Sequence, residues 1–241
     1  MTSKPKVKPP VVTPPAVIAP PATPPVDARP VAPTPDAGSA AVIAKPPVSK
    51  PAPEPATIDE AMKQAAALDK DGDREAAIAM LHAGVSRWPK NATARVELAR
   101  LYLSAGEPGR AKPHAEKATE LRSDWSTAWN TLGRADLGMA RLEDAIASFE
   151  RAIEVNEDNR HAWNNLGHTY ILLERWEDAV AALENAVDGE EVESYMWNNL
   201  GMALENLDRL DHARAAYEQG AAAGSTLAAS NRQRLEGMVN L

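Results

Sequence analysis

The chain has 241 residues, 26 Lys/Arg against 34 Asp/Glu for a formal net charge of −8, and no cysteine. Without thiols, disulfides, thiol catalysis and thiolate zinc sites are excluded, and the acidic balance argues against nucleic acid, whose phosphates need clustered Lys and Arg. No stretch approaches the ~18 consecutive apolar residues of a membrane span, so direct membrane insertion is not expected.

Residues 1–57 hold 17 of the 20 prolines, often paired as in Pro9-Pro10, Pro14-Pro15, Pro20-Pro21 and Pro24-Pro25. Proline has no amide donor and restricts the residue before it, so neither a helix nor a strand ladder can form. The segment has no aromatic residue and no sustained apolar run, and it reads as a disordered, partly polyproline II arm. It carries six Lys/Arg and three Asp/Glu against 20 and 31 in the remainder, so the acidity belongs to the rest of the chain. Met1-Thr2-Ser3-Lys4-Pro5-Lys6 leads into prolines and not into an apolar core, so no secretory signal is visible. The expected location is cytoplasmic, with a periplasmic or envelope-associated protein as the alternative if a signal is missing from this sequence.

Beyond residue 57 the chain repeats itself. Trp129, Trp163 and Trp197 lie 34 residues apart and open the phrases Trp129-Asn130-Thr131-Leu132-Gly133, Trp163-Asn164-Asn165-Leu166-Gly167 and Trp197-Asn198-Asn199-Leu200-Gly201. A fixed period of this size marks stacked supersecondary units, and five fit without an insertion: 58–91, 92–125, 126–159, 160–193 and 194–227. The first keeps Ala65, Leu68, Ala77, Leu81 and Pro89 but has Ala61 at the Trp place. The second keeps Leu98, Ala99, Tyr102, Ala111, Ala115 and Ala118, with Arg95 for the Trp. The third offers Ala145, Phe149 and Ala152, and Asp136 where an aromatic is usual.

The fourth unit shows the period most plainly. Trp163, Leu166, Gly167 and Tyr170 follow the i, i+3, i+4, i+7 spacing of one helix face, and Ala179, Leu183 and Ala186 form a second stripe. Leu173 to Glu177 leaves room only for a short connection, so the two helices fold back antiparallel. The fifth unit answers with Trp197, Leu200, Gly201 and Leu204, then Ala213, Tyr217 and Gly220. Residues 228–241 are too short for a sixth unit, and Ala228, Leu235, Met238 and Val239 fit one face of a capping helix.

This pattern resembles the tetratricopeptide repeat. The resemblance implies an all-α, right-handed solenoid of helix-turn-helix repeats, and a protein that binds other proteins in a concave groove lined by the first helices. Enzymatic chemistry is not expected. His161 and His168 are seven apart, too far for the i, i+4 metal clamp. His82, His114 and His212 are isolated and read as solvated, and no nucleophile has a base beside it. No metal site and no cofactor is expected.

At about 100° per residue, with Trp163 at zero, His161, Asn164, Asn165 and His168 fall between roughly 100° and 200°, away from the core. The same arithmetic exposes Asn130, Thr131 and Arg134, then Tyr195, Asn198, Asn199 and Met202, and Val96, Glu97 and Arg100. The candidate peptide-binding strip is therefore Asn130, Arg134, Asn164, Asn165, His168, Asn198 and Asn199. An asparagine amide both donates and accepts, so it can pair with the backbone of any peptide. Asn165 and Asn199 resemble the asparagine ladder in the repeat domain of the O-GlcNAc transferases. The Lys/Asn/Arg constellation with which this family clamps chaperone tails is not matched. The expected function is a non-catalytic adaptor holding a peptide or helix of a partner protein. The alternatives are an assembly factor or structural scaffold, self-associating as a homo-oligomer or part of a bacterial envelope, pilus or motility complex, and a regulatory subunit of an enzyme.

Overall fold

The computed structural model describes residues 55–189 and 192–239, with the backbone alone at 238 and 239. The expected disordered arm falls almost wholly on residues 1–54, outside the described residues, as do the side chains of Met238 and Val239. Among the described residues there are eleven helices and no strand. They are α1 (Ile58–Lys70), α2 (Arg74–Arg87), α3 (Ala92–Ser104), α4 (Pro108–Leu121), α5 (Ser126–Gly138), α6 (Leu142–Val155), α7 (Arg160–Leu172), α8 (Trp176–Ala186), α9 (Ser194–Asn206), α10 (Leu210–Ala222) and α11 (Thr226–Val239). Each odd-numbered helix up to α9 packs on its successor as a hairpin, and α11 closes the stack against α9 and α10. No helix among them is long and apolar enough to cross a membrane.

The starts and stops are chemical. Thr57, Asp73, Asn91, Asn159 and Ser225 each accept a backbone N–H three residues on, from Glu60, Ala76, Ala94, Ala162 and Ala228, which satisfies an amide at the first turn. The turn inside every hairpin closes the same way. The N–H of Asp73, Glu107, Arg141, Arg175 and Arg209 donates to the carbonyl of Leu68, Tyr102, Asp136, Tyr170 and Leu204 at 2.9–3.0 Å.

That closure requires a left-handed residue just before the donor. Gly72 and Gly106 take it at φ 90° and 75°, but the three later hairpins use Ala140, Glu174 and Asp208 at φ 55–57°. A side chain there costs about 1–2 kcal/mol, and glycine does not meet that clash. Glu174→Gly is therefore expected to stabilise the protein by about 1 kcal/mol, raising the melting temperature by roughly 2–4 °C. An unchanged or lower melt would mean that Glu174 makes a compensating contact in the turn.

The third, fourth and fifth hairpins are each held together by one bulky and one small residue. A Cβ added to Gly133, Gly167 or Gly201 would stand 2.5 Å from the side chain of Phe149, Leu183 or Tyr217. Only glycine lets the second helix seat its large residue against the first, because a packed interior has no room to yield. In the second hairpin Ala99 and Ala115, both fully buried, keep the same places small.

Trp163 is 2 % exposed, and its indole N–H donates to the Glu157 carbonyl at 2.8 Å. Trp129 makes the same bond to Ser123 at 2.9 Å. Arg95, standing where the Trp is missing, donates its Nε–H to the equivalent carbonyl of Pro89 at 2.9 Å, so the polar half of the tryptophan's role survives the replacement. Trp129 and Trp197 are only partly buried, packing on the core from its edge. Trp163 has a Trp-bearing hairpin on either side, whereas Trp129 follows the Arg95 hairpin and Trp197 precedes the single helix α11.

Asp136 departs from the apolar rule. It lies on α5 where the neighbouring hairpins have Tyr102 and Tyr170, and its carboxylate is almost fully buried. Lys112 Nζ, reaching across from α4, lies 2.6 Å from Asp136 Oδ1. The places equivalent to Lys112 in the flanking hairpins are Ile78 and Ile146. One junction of the stack has thus exchanged an apolar pair for an ion pair. The bond to Asp136 raises the Lys112 pKa above the usual lysine range.

The stack ends on a polar clamp. Arg234 of α11 grips Glu205 of α9 through two bonds of 2.6 and 2.7 Å, and the Tyr217 hydroxyl donates to the same carboxylate at 2.9 Å. The paired bonds from Arg234 lower the Glu205 pKa.

Candidate functional site: the inner face of the first helices

The first helices of successive hairpins touch one another directly, α1 on α3, α3 on α5, α5 on α7, α7 on α9 and α9 on α11, while the second helices touch none of their own kind. A stack whose first helices converge and whose second helices spread must curve toward the first helices. Their outward face therefore lines the inner side of the curve.

That convergence corrects part of the sequence reading. Asn130, Asn164 and Asn198 are buried, at 8 %, 5 % and 7 % exposure, and so are Val96 and Thr131. A wheel drawn for one helix places them away from its own partner, but the first helix of the next hairpin covers that side. The buried asparagines are bonded in a ladder. Asn165 Nδ2 donates to Asn130 Oδ1 at 2.9 Å, Asn199 Nδ2 to Asn164 Oδ1 at 3.0 Å, and Asn231 Nδ2 to Asn198 Oδ1 at 3.0 Å. The Thr131 hydroxyl donates to the Thr127 carbonyl. Five of the seven residues of the expected strip thus join neighbouring first helices together, with each buried carbonyl oxygen satisfied.

Arg134, Asn165, His168 and Asn199 remain partly open on the inner face. Asn165 and Asn199 each spend one amide hydrogen on the ladder and keep a second hydrogen and the side-chain oxygen. Burial lowers the His168 pKa below the usual histidine value. Burial also lowers that of Arg134, and the neighbouring Arg100 adds to the effect. Among the described residues no carboxylate pairs with Arg134, whereas Arg100 is bonded to Glu97 at 3.1 Å. Beside them the Tyr195 hydroxyl lies 3.1 Å from His161 Nδ1, and Tyr195 and Leu172 are 42 % and 51 % exposed. The His161–Tyr195 contact and the role of Asn231 were not read from the sequence. The 34-residue step from 161 to 195 was the available signal for the first. Asn231 comes two residues early for the ladder's spacing, because α11 begins at Thr226 and not at 228.

His114 also departs from its reading as a solvated residue. Its ring stacks on Tyr102, centroids 5.7 Å apart, and meets His82 edge-on at 6.1 Å. Its buried Nδ1 has no hydrogen-bond partner. Burial first, then the charges of Arg95, His82 and Arg110, push its pKa down to about 4. The unfolded chain takes up a proton below about 6.5 and the folded one only near 4, so stability is lost as pH falls through that window. The melting temperature is expected to drop between those pH values, and the drop to shrink in His114→Gln. An equal drop in the variant would assign the titration elsewhere. No group of three or more His, Asp or Glu suited to a metal ion occurs among the described residues.

Comparison with known proteins agrees with this architecture. A family model described as tetratricopeptide repeat matches residues 70–135 and 136–198, and a second of the same description matches 194–222. A search of the curated proteins found no match. Among solved structures, a thermophilic TPR protein of Thermus thermophilus, TTC0263, is similar at 20 % identity and TM-score 0.62, over 77 % of this chain and all of that one. MamA from Desulfovibrio magneticus RS-1 is similar at 18 % and 0.59, over 70 % and 96 %. YrrB, described as a TPR protein with an unusual peptide-binding site, is similar at 17 % and 0.55, over 72 % and 91 %.

Proposed function

The chain belongs to the tetratricopeptide repeat family, and from that premise we propose that it is a non-catalytic adaptor that holds a peptide or helix of a partner protein along the inner face of its first helices. The observation that carries this reading is the run of Arg134, Asn165, His168 and Asn199, on three successive first helices, whose donors and acceptors the fold leaves partly unused. An extended peptide brings unpaired backbone donors and acceptors and a helix brings polar side chains, and each bond formed contributes about 0.5–1.5 kcal/mol. The peptide-binding site described for YrrB supports the same reading.

Affinity capture on the full chain, with mass spectrometry of what is retained, tests it. Leu172→Glu and His168→Ala should release the main retained protein while the melt stays close to the parent's, since Leu172 is exposed and His168 is partly open on the inner face. Retention by both variants would move the binding surface elsewhere. Asn165→Ala with Asn199→Ala is the wrong probe, because each truncation also breaks a bond between hairpins. That double variant is expected to lose about 1–3 kcal/mol of stability in a urea melt, and a parental melt would show the ladder to be energetically idle.

A further inference from the structure

We propose that the inner face takes an acidic, amphipathic segment of its partner, with carboxylates against Arg134 and Arg100 and apolar side chains against Leu172, Met202 and Tyr195. This rests on the groove reading above and names the chemistry of the occupant.

Residues 100, 134, 168 and 202 share one place on α3, α5, α7 and α9, and there the chain carries Arg, Arg, His and Met. The face thus grades from cationic to apolar along the stack. The apolar end is widened by the exposed Leu172 and Tyr195. Elsewhere the region is acidic, with 31 Asp/Glu against 20 Lys/Arg beyond residue 57, and Arg110, Lys112, Lys117, Arg151, Arg175 and Arg214 each have a carboxylate nearby. Arg134 has none, although it is half-buried and stands near a second guanidinium. A cation drawn out of water without a counter-charge carries an unrecovered desolvation cost. An incoming carboxylate recovers it, and a guanidinium can hold one through two parallel bonds. Tyr195 is within electrostatic reach of Arg134 across two hairpins, and its hydroxyl contact with His161 leaves the ring open to an apolar neighbour. Cationic groups toward one end of the face and phenol and aliphatic groups toward the other match a segment with acidic residues toward one end and apolar residues toward the other.

The probe is a display library of random short peptides selected on the full chain, followed by synthesis of an enriched sequence. Enriched peptides should combine Asp or Glu with Leu, Ile or Phe, and their affinity should fall as salt rises. Arg134→Gln should weaken the synthetic peptide about ten-fold, the scale of one charge-assisted bond, and Arg134→Lys should restore part of it. The melt of Arg134→Gln should equal or exceed the parent's, because the side chain has no carboxylate partner in the fold to lose. A lowered melt would make Arg134 structural and overturn the proposal. Peptides that lack acidic residues but are released by Leu172→Glu would also overturn it, while leaving the groove reading in place. Peptides indifferent to both substitutions, or no enrichment at all, would count against both.

Discussion

Lys112→Met is expected to destabilise the protein by about 3 kcal/mol in a urea melt. The substitution keeps the length of the side chain but leaves Asp136 buried without its cation, and breaking a buried pair from one side typically costs about 3–5 kcal/mol. The lower figure applies because the Lys112 side chain is 20 % exposed, so water can reach part of the site. Since α4 and α5 belong to different hairpins, the loss should appear at that junction. Hydrogen exchange should show the first two hairpins opening separately from the rest, as expected of a stack coupled only between neighbours. The paired substitution Lys112→Ile with Asp136→Tyr restores the apolar pair of the flanking hairpins and is expected to be neutral or stabilising. A parental melt for Lys112→Met would show that Asp136 is hydrated or protonated without its partner.

Trp163→Ala is expected to cost about 3–5 kcal/mol, the scale for deleting a buried aromatic. The loss combines the vacated volume with the bond from its indole to the Glu157 carbonyl. Trp163→Phe, which keeps a ring but not the N–H, should recover most of the packing and remain about 1 kcal/mol below the parent. Because each hairpin contacts only its neighbours, the third to fifth hairpins should loosen together. Equal melts for Trp163→Ala and the parent would show that the 34-residue register misplaces the core. Trp197→Ala, at a partly buried place, should cost less than Trp163→Ala.

The residues that made the hairpins readable are those whose roles are settled within one hairpin. Gly167 and Leu183 face each other inside a single unit, so a glycine four residues after a tryptophan and a bulky residue one helix later announce the contact by type and spacing. The candidate strip was read less well for the converse reason. Asn164 satisfies every rule for a residue pointing away from its own hairpin, and it is buried because α9 lies on that side. Asp136 stood out as a departure, yet its partner Lys112 sits 24 positions earlier on a helix of the preceding hairpin, and nothing local marks that pairing.

The sequence by itself determined the helices, their antiparallel pairing, the 34-residue step and the tryptophan–glycine core, since each follows from apolar period, small-residue placement and turn length within one repeat. Only the tertiary structure decided which polar residues are free. That depends on how closely successive first helices converge, and the convergence turns three asparagines inward as a ladder while leaving Arg134 half-buried without a counter-ion. Burial and pairing between repeats are properties of the stack, set by where one hairpin's surface meets the next.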